Sequence, residues 1–426
     1  MTTLHDRAEA ALALMRAQGF EHAQVSAIES SLTELNIAAN EPSLMRSAET
    51  RRIALAGIVG GRKAACELSA PTEAGLREAV AALFADAQAA PADEAHAVSA
   101  GESALVEQGP VEPDTALLAD KLRELLEFRA ASTPSTHLEE ALAAHTLTRS
   151  CTLTSGGSDL ACRIGSYTLS AMGSARRNGR VSSFNYASGE THDLAAHAAP
   201  DFFGIGAFMR DAERQVDTRS LDAPFDGEIV LTPPAVASLL GWLQGQIGDE
   251  RLIAHTSLYG ERVGELVASP LLTLRSRFDA PGVAAVSAEA FAAPPVTVLE
   301  AGRLGTLTPG FYASRRTGLP HVPSAAGGWE LAAGATALET LIAGVRRGAL
   351  VDRLSMGNPA ANGDFSGVVK NSFLIEGGEV GPALSEVMVT GNMAQMLLAV
   401  SAVSRERIDT GALCLPWLRI GGAHFS

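Results

Sequence analysis

The sequence predicts an α+β fold: an N-terminal domain of mixed helices and strands, followed by a strand-rich C-terminal domain with a curved or barrel-like sheet. Three observations carry this. Helical and alternating patterns are interleaved in the first half without a regular strand–helix–strand period. The second half breaks into short extended pieces punctuated by glycine turns. No repeat of 20–50 residues is visible across the 426 residues. A chain this long forms about one to three domains. The expected organisation is an α+β subdomain over 1–90, a connector over 91–114, a middle subdomain of helix plus strands over 115–221, and a strand-rich domain over 222–426.

The first element is an amphipathic helix from about Leu4 to Gln18, with Leu4, Ala8, Ala11, Leu12 and Met15 on one face and Gly19 as its stop. Alternation then marks strands through Leu35 and Ile37, and through Ile53, Leu55 and Val59, with Gly60-Gly61 turning the chain into Lys63–Leu68. A second helix after Thr72 presents Leu76, Val80, Leu83 and Phe84. The Ala-, Glu- and Pro-rich stretch that follows has no sustained periodicity and reads as loose connection. Leu118, Leu122, Leu125 and Leu126 mark a third helix from Thr115, and 139–190 is strand-rich, with Asn178-Gly179 as a hairpin signal. Residues 202–218 read as helical again.

The C-terminal domain opens with a strand, Glu228–Leu231, and a helix to about Ile247 for which Thr232 is the N-cap and Pro233 stands in the first turn. Extended pieces follow at Leu271–Phe278, Val296–Glu300, Leu304–Leu307, Leu350–Met356, Ser366–Glu376 and Ala383–Thr390, and only two short helices, around 336–347 and 392–400, are expected among them.

Charge and cysteine usage narrow the function classes. Lys and Arg number 33 against 48 Asp and Glu, a net charge of −15. That balance disfavours direct nucleic-acid binding, which relies on clustered cations. Four cysteines are too few for a disulfide framework, and Asp6, Arg7 and Glu9 interrupt any secretory segment. With no apolar run near 18 residues, no membrane span is expected, and the chain reads as cytoplasmic.

Familiar catalytic motifs are missing. Gly57 to Lys63 has the wrong spacing for a phosphate loop, and Ala64 stands where Ser or Thr is required. Gly363-Asp-Phe-Ser-Gly367 places its serine one position late for a nucleophile elbow. His192 and His197, five apart, would sit roughly 140° apart on a helix and do not converge on one metal. Cys151 and Cys162 read as small core residues on neighbouring strands. Asp364, Ser366, Lys370 and Asn371 fall in an expected hairpin, where turn formation accounts for them; a modest role for them is contact with a bound peptide.

The most distinctive stretch is Asn362 to Glu379, Asn-Gly-Asp-Phe-Ser-Gly-Val-Val-Lys-Asn-Ser-Phe-Leu-Ile-Glu-Gly-Gly-Glu, followed by Leu384 to Asn392 and Pro416-Trp-Leu-Arg-Ile420. With Glu261 to Glu265, Glu300 to Leu304, Ser314 to Gly318 and Val59 to Ala64, it resembles the TldD/PmbA family, formerly described as modulators of DNA gyrase and now understood as peptidase subunits. The resemblance implies two kinds of chain. TldD-type subunits carry an HExxxH zinc motif on the helix that opens the second large domain; PmbA-type subunits, also called TldE, lack it. Here Gly241 and Gln246 align with the histidines and Trp242 with the glutamate. Glycine offers no ligand, glutamine is a poor one for zinc, and indole is no general base. Cys414, in Leu-Cys-Leu-Pro, also lacks a metal-ligand context.

The resemblance therefore implies a PmbA/TldE-type chain, inactive alone, with no catalytic residue, no metal and no cofactor of its own. Zinc is expected only in a TldD-like partner, and the pair would act on small or unfolded peptides. A different class of reading is a self-associating peptide-binding or scaffold protein without a peptidase partner, and an isolated chain is expected to be able to form a homodimer.

Overall fold

A computed structural model describes residues 3–323, 328–385 and 387–426. It is a mixed α+β structure built on a curled, largely antiparallel sheet and a second, larger mixed sheet. Glu386, within the strand expected over 383–390, lies outside the described residues.

The first sheet takes its shape from four long strands, His22–Ala38, Glu41–Val59, Thr136–Thr154 and Asp159–Arg177. Strands of this length exceed the usual range, and their accumulated twist curls the sheet. His22–Ala38 pairs antiparallel with Thr136–Thr154 from Gln24↔Thr154 to Ala38↔Glu140. The segments 1–90 and 115–221 thus share one sheet. The stretch read as loose connection contributes a strand as well: Ser103–Gln108 pairs parallel to Asp159–Ile164. Its alternation is only three half-buried residues long, too short to register as a pattern.

All the packing helices of this unit cover one face. Ala23, Val25 and Ala27 meet the helices Leu4–Gln18 and Glu73–Ala89 in one core, and Ile37, with Leu35 beside it, meets Thr115–Ser132 and Ile205–Arg214 in another. These residues share odd numbers, and the period of two in a strand sends them to the same side.

The second sheet is organised by a strand that sequence patterning did not single out, Leu413–Phe425. It pairs antiparallel with Phe225–Leu231, with Val400–Asp409 and with Met388–Asn392, and parallel with Trp329–Leu331. Gly421-Gly422 and the charged run Ser404 to Asp409 obscure the alternation of the two final strands. The largest core of the protein lies between this sheet and the helix Pro233–Ile247.

Three expectations for this half are corrected. Helices also form at Asp249–Ile253 and Phe311–Thr317. Each buries a single residue, Leu252 or Ala313, and so leaves no apolar periodicity to read. The strand expected over Ser366–Glu376 is two strands, Asp364–Lys370 and Phe373–Glu376, because Asn371 adopts a left-handed φ of 51° between them. Leu350–Met356 is likewise divided at Asp352.

Candidate functional site

The helix Pro233–Ile247 is the spine on which the candidate site is built. Thr232 precedes it with extended backbone, but its hydroxyl donates to Asp352 Oδ1 at 2.8 Å and caps no helical amide. Pro233 and Pro234 have no N–H to satisfy in the first turn. Ala235, Val236, Leu239, Leu240, Leu243 and Ile247 are buried in the core. The opposite face carries Ala237, Ser238, Gly241 and Gly245. A Cβ at Gly241 or Gly245 would meet no atom within 4 Å.

The three aligned motif positions are thereby separated. Gly241 faces open space. Gln246, five residues and roughly 140° further round, is 1% exposed. Its Oε1 accepts from the Leu258 amide at 3.0 Å, which ties the helix end to the following loop. Trp242 is half-buried, its ring edge-on to Tyr259 at 6.0 Å between centroids. The space that Trp242 fills is made by Gly363, whose φ is 92° and where a Cβ would stand 3.0 Å from the indole Cζ2. These residues do not fit zinc: there is no imidazole or carboxylate among them, and among the described residues no three His, Cys, Asp or Glu side chains are placed to hold a metal.

Around these positions lie polar atoms without partners. Trp242 Nε1, Gln246 Nε2 and Tyr259 Oη are all buried and make no hydrogen bond. Burial pushes the Tyr259 phenol up to about 12, so it stays protonated.

Three cavities are relevant, the first of them against this helix. At its start a cavity of about 430 Å³ is lined by Pro233, Pro234, Ser238, Tyr186, Arg353 and Leu413, among others, and so lies between the two sheets. Arg353 donates to Asn185 Oδ1 and to the Tyr186 carbonyl, both at 2.7 Å, and stacks over the Tyr186 ring at 3.7 Å. The strand Asn185–Thr191 pairs only with Asp159–Arg177 among the described strands, which leaves its other edge toward the cavity. A second cavity, about 540 Å³, lies beside the loop that Gln246 anchors.

The third cavity, about 410 Å³, has an apolar wall of Ile229, Phe365, Val389, Met396 and Ile420, with Asp364 among its lining residues. The Asp364 carboxylate accepts from Asn362 Nδ2 at 2.7 Å and Asn392 Nδ2 at 2.8 Å. These two amides, Asn392 foremost, hold its pKa below the ordinary carboxylate value.

The remaining candidates from the sequence are not gathered into one site. Ser366 shares the exposed face of the strand with Asp364, but Lys370 is six residues and about 20 Å further on. Asn371 is buried and donates to the Phe184 carbonyl at 3.2 Å, so it joins the two halves of the molecule. Arg353, Tyr186, Tyr259 and Asn392 were not read as site residues. Asn392 could have been found as an N-cap, because its side chain accepts from Gln395 N ahead of a short helix. Arg353 gave no local signal, since its partners lie more than 160 residues away.

The other scattered groups stay apart. His192 and His197 engage different neighbours: His192 Cδ2 crowds Gly109, while the His197 carbonyl accepts from Lys121. Cys151 opposes Ala161 and Cys162 opposes Ser150, so the two thiols point to opposite faces of the sheet.

A curled first sheet, a second sheet with a central helix, and a cavity between them make up the α+β architecture expected from the sequence. Residues 226–426 match the family described as the PmbA/TldA metallopeptidase C-terminal domain. Over that C-terminal stretch the chain is similar to this family. No curated protein sequence matches it.

Its fold is similar, over the full length, to that of several solved structures. TldE from Thermococcus kodakarensis is 19% identical with a TM-score of 0.82, covering 98% of this chain and 99% of that one. A protein described as a candidate modulator of DNA gyrase from Bacteroides thetaiotaomicron is 20% identical, with a TM-score of 0.85 and all of both chains covered. A similarly described protein from Thermotoga maritima is 15% identical, with a TM-score of 0.77 and both chains again covered completely.

Proposed function

We propose that this chain is the non-catalytic, TldE-type subunit of a cytoplasmic metallopeptidase heterodimer acting on small or unfolded peptides. The observation that carries the reading is the divergence of the three aligned positions: Gly241 faces open space, Trp242 packs on Gly363 and Tyr259, and Gln246 is sealed in the core. Zinc hydrolysis needs about three protein ligands, an open water position and a base. A TldD-like partner would supply them. This chain would contribute peptide-binding surface and close the chamber.

The cavity between the sheets suits that role. The edge of Asn185–Thr191 is occupied at Tyr186, by Arg353 and the Asn185 side chain, and at Glu190, by the Thr410 carbonyl at 3.0 Å. Ser188 lies between them, where an extended peptide could add backbone hydrogen bonds. Asp364 and Ser366 offer a second, polar contact surface.

The test is to purify the full chain alone and together with a TldD-like subunit, and to measure bound zinc and cleavage of an unfolded peptide. The chain alone should hold no stoichiometric zinc and cleave nothing. The pair should cleave, and a chelator should stop it. Chelator-sensitive cleavage by the isolated chain would overturn the proposal.

A further inference from the structure

The cavity at the end of the central helix has a charge pattern that the reading above does not use. Its walls include Arg251, His255, Ser257, Glu261, Arg262 and Thr317. The helix Asp249–Ile253 and the loop after it, which carry five of them, are held by their own backbone: Thr256 N donates to Arg251 O at 2.9 Å, His255 N to Leu252 O at 3.2 Å, and Arg262 N to Tyr259 O at 3.0 Å. Tyr259 N donates to Ser257 Oγ at 3.0 Å, and Leu258 N to Gln246 at 3.0 Å. The shape therefore exists before any ligand arrives.

Two guanidinium groups remain available there. Arg262 uses Nε to donate to Glu265 Oε2 at 2.7 Å and sits 5.7 Å from the Tyr259 ring centroid. Those contacts fix its plane while both Nη groups make no hydrogen bond among the described residues. Arg251 is half-buried and has no ion pair and no side-chain hydrogen bond among the described residues, although most arginines of this acidic chain are paired. A guanidinium offers a planar fork that matches a carboxylate. Glu261, on the same rim, disfavours a second negative charge and so favours a lone carboxylate beside a neutral side chain.

We propose that this cavity is a carboxylate subsite for bound peptide, with Arg251 and Arg262 as the clamp. The chemistry is shared by a peptide's C-terminus and by an acidic side chain. The inference rests on the peptide-binding role proposed above.

Calorimetric titration of the full chain with short acetylated Ala-Gly-Leu peptides tests it, in three forms: free acid, C-terminal amide, and amide carrying one internal Glu. A charge-assisted contact predicts that at least one carboxylate-bearing form binds about tenfold tighter than the plain amide. Which of the two does so identifies the source of the carboxylate. Arg251→Ala should erase the difference between the forms, with circular dichroism of the variant matching that of the parent chain; a difference that survives the substitution overturns the clamp. Equal affinity for all three forms overturns the subsite and leaves peptide binding standing. No binding of any form overturns both.

Discussion

Lys121 is nearly sealed from water at 5% exposure, and its ammonium persists there because acceptors surround it. Both Glu124 oxygens lie 3.1 Å away and the His197 carbonyl 2.8 Å away, while Glu124 also accepts from Ala199 N at 2.6 Å. Removing one member of such a pair leaves the other uncompensated. Lys121→Ala should destabilise the protein by about 3 kcal/mol in urea denaturation; a loss under 1 kcal/mol would mean that Glu124 is adequately hydrated without it. His321 is the opposite case, a ring kept neutral. It lies 4.5 Å from Phe291 and 5.4 Å from Phe311, between ring centroids, and burial depresses its pKa despite the nearby Glu289, Asp249 and Glu102 carboxylates. Because the folded value lies below the unfolded one, its stabilisation is full above about pH 6.5 and is lost as pH falls through the folded value. Acidification from pH 7.5 to 5 should lower the urea midpoint, and His321→Leu should reduce that drop. An unchanged drop would assign it to other groups.

At the scale of elements, the contact between Trp242 and Gly363 joins the central helix to the strand that begins at Asp364. Gly363 answers two demands at once, a φ of 92° and the approach of an indole to 3.0 Å of a would-be Cβ. Gly363→Ala should therefore cost about 1–3 kcal/mol and shift tryptophan emission as Trp242 is displaced. Native-like stability and emission would show that the loop yields instead. Elements of this kind were legible in proportion to their periodicity. The helix Leu4–Gln18 buries Ala8, Ala11, Leu12 and Met15, the residues its spacing marks. The helix Phe311–Thr317 buries one residue and was invisible, and Leu413–Phe425, the centre of the second sheet, was hidden by its glycines.

Across the whole molecule, a few long-range contacts hold the segment 93–96 against the helix Phe311–Thr317. Tyr312 Oη donates to Asp93 at 2.8 Å, and Arg315 donates to the Ala95 and Glu94 carbonyls at 3.0 and 2.9 Å. The double variant Tyr312→Phe and Arg315→Ala should free this segment. Limited proteolysis should then cut within residues 91–114 several-fold faster, with secondary structure unchanged by circular dichroism. An unaltered cleavage rate would place the restraint elsewhere, in contacts such as Gln108 to the Val283 carbonyl or Arg316 to Asp93.

The sequence by itself determined the α+β class, most helices, the acidic balance and the residue types at Gly241, Trp242 and Gln246. Side-chain identity and short-range period are local properties, readable without a partner. Only the tertiary structure decided that segments 1–90 and 115–221 share a sheet, that Gly241 turns outward while Gln246 turns inward, and that Arg353 meets Tyr186 beside a cavity. Strand pairing and cavity walls join residues more than a hundred positions apart, and no local pattern records which distant segment completes them.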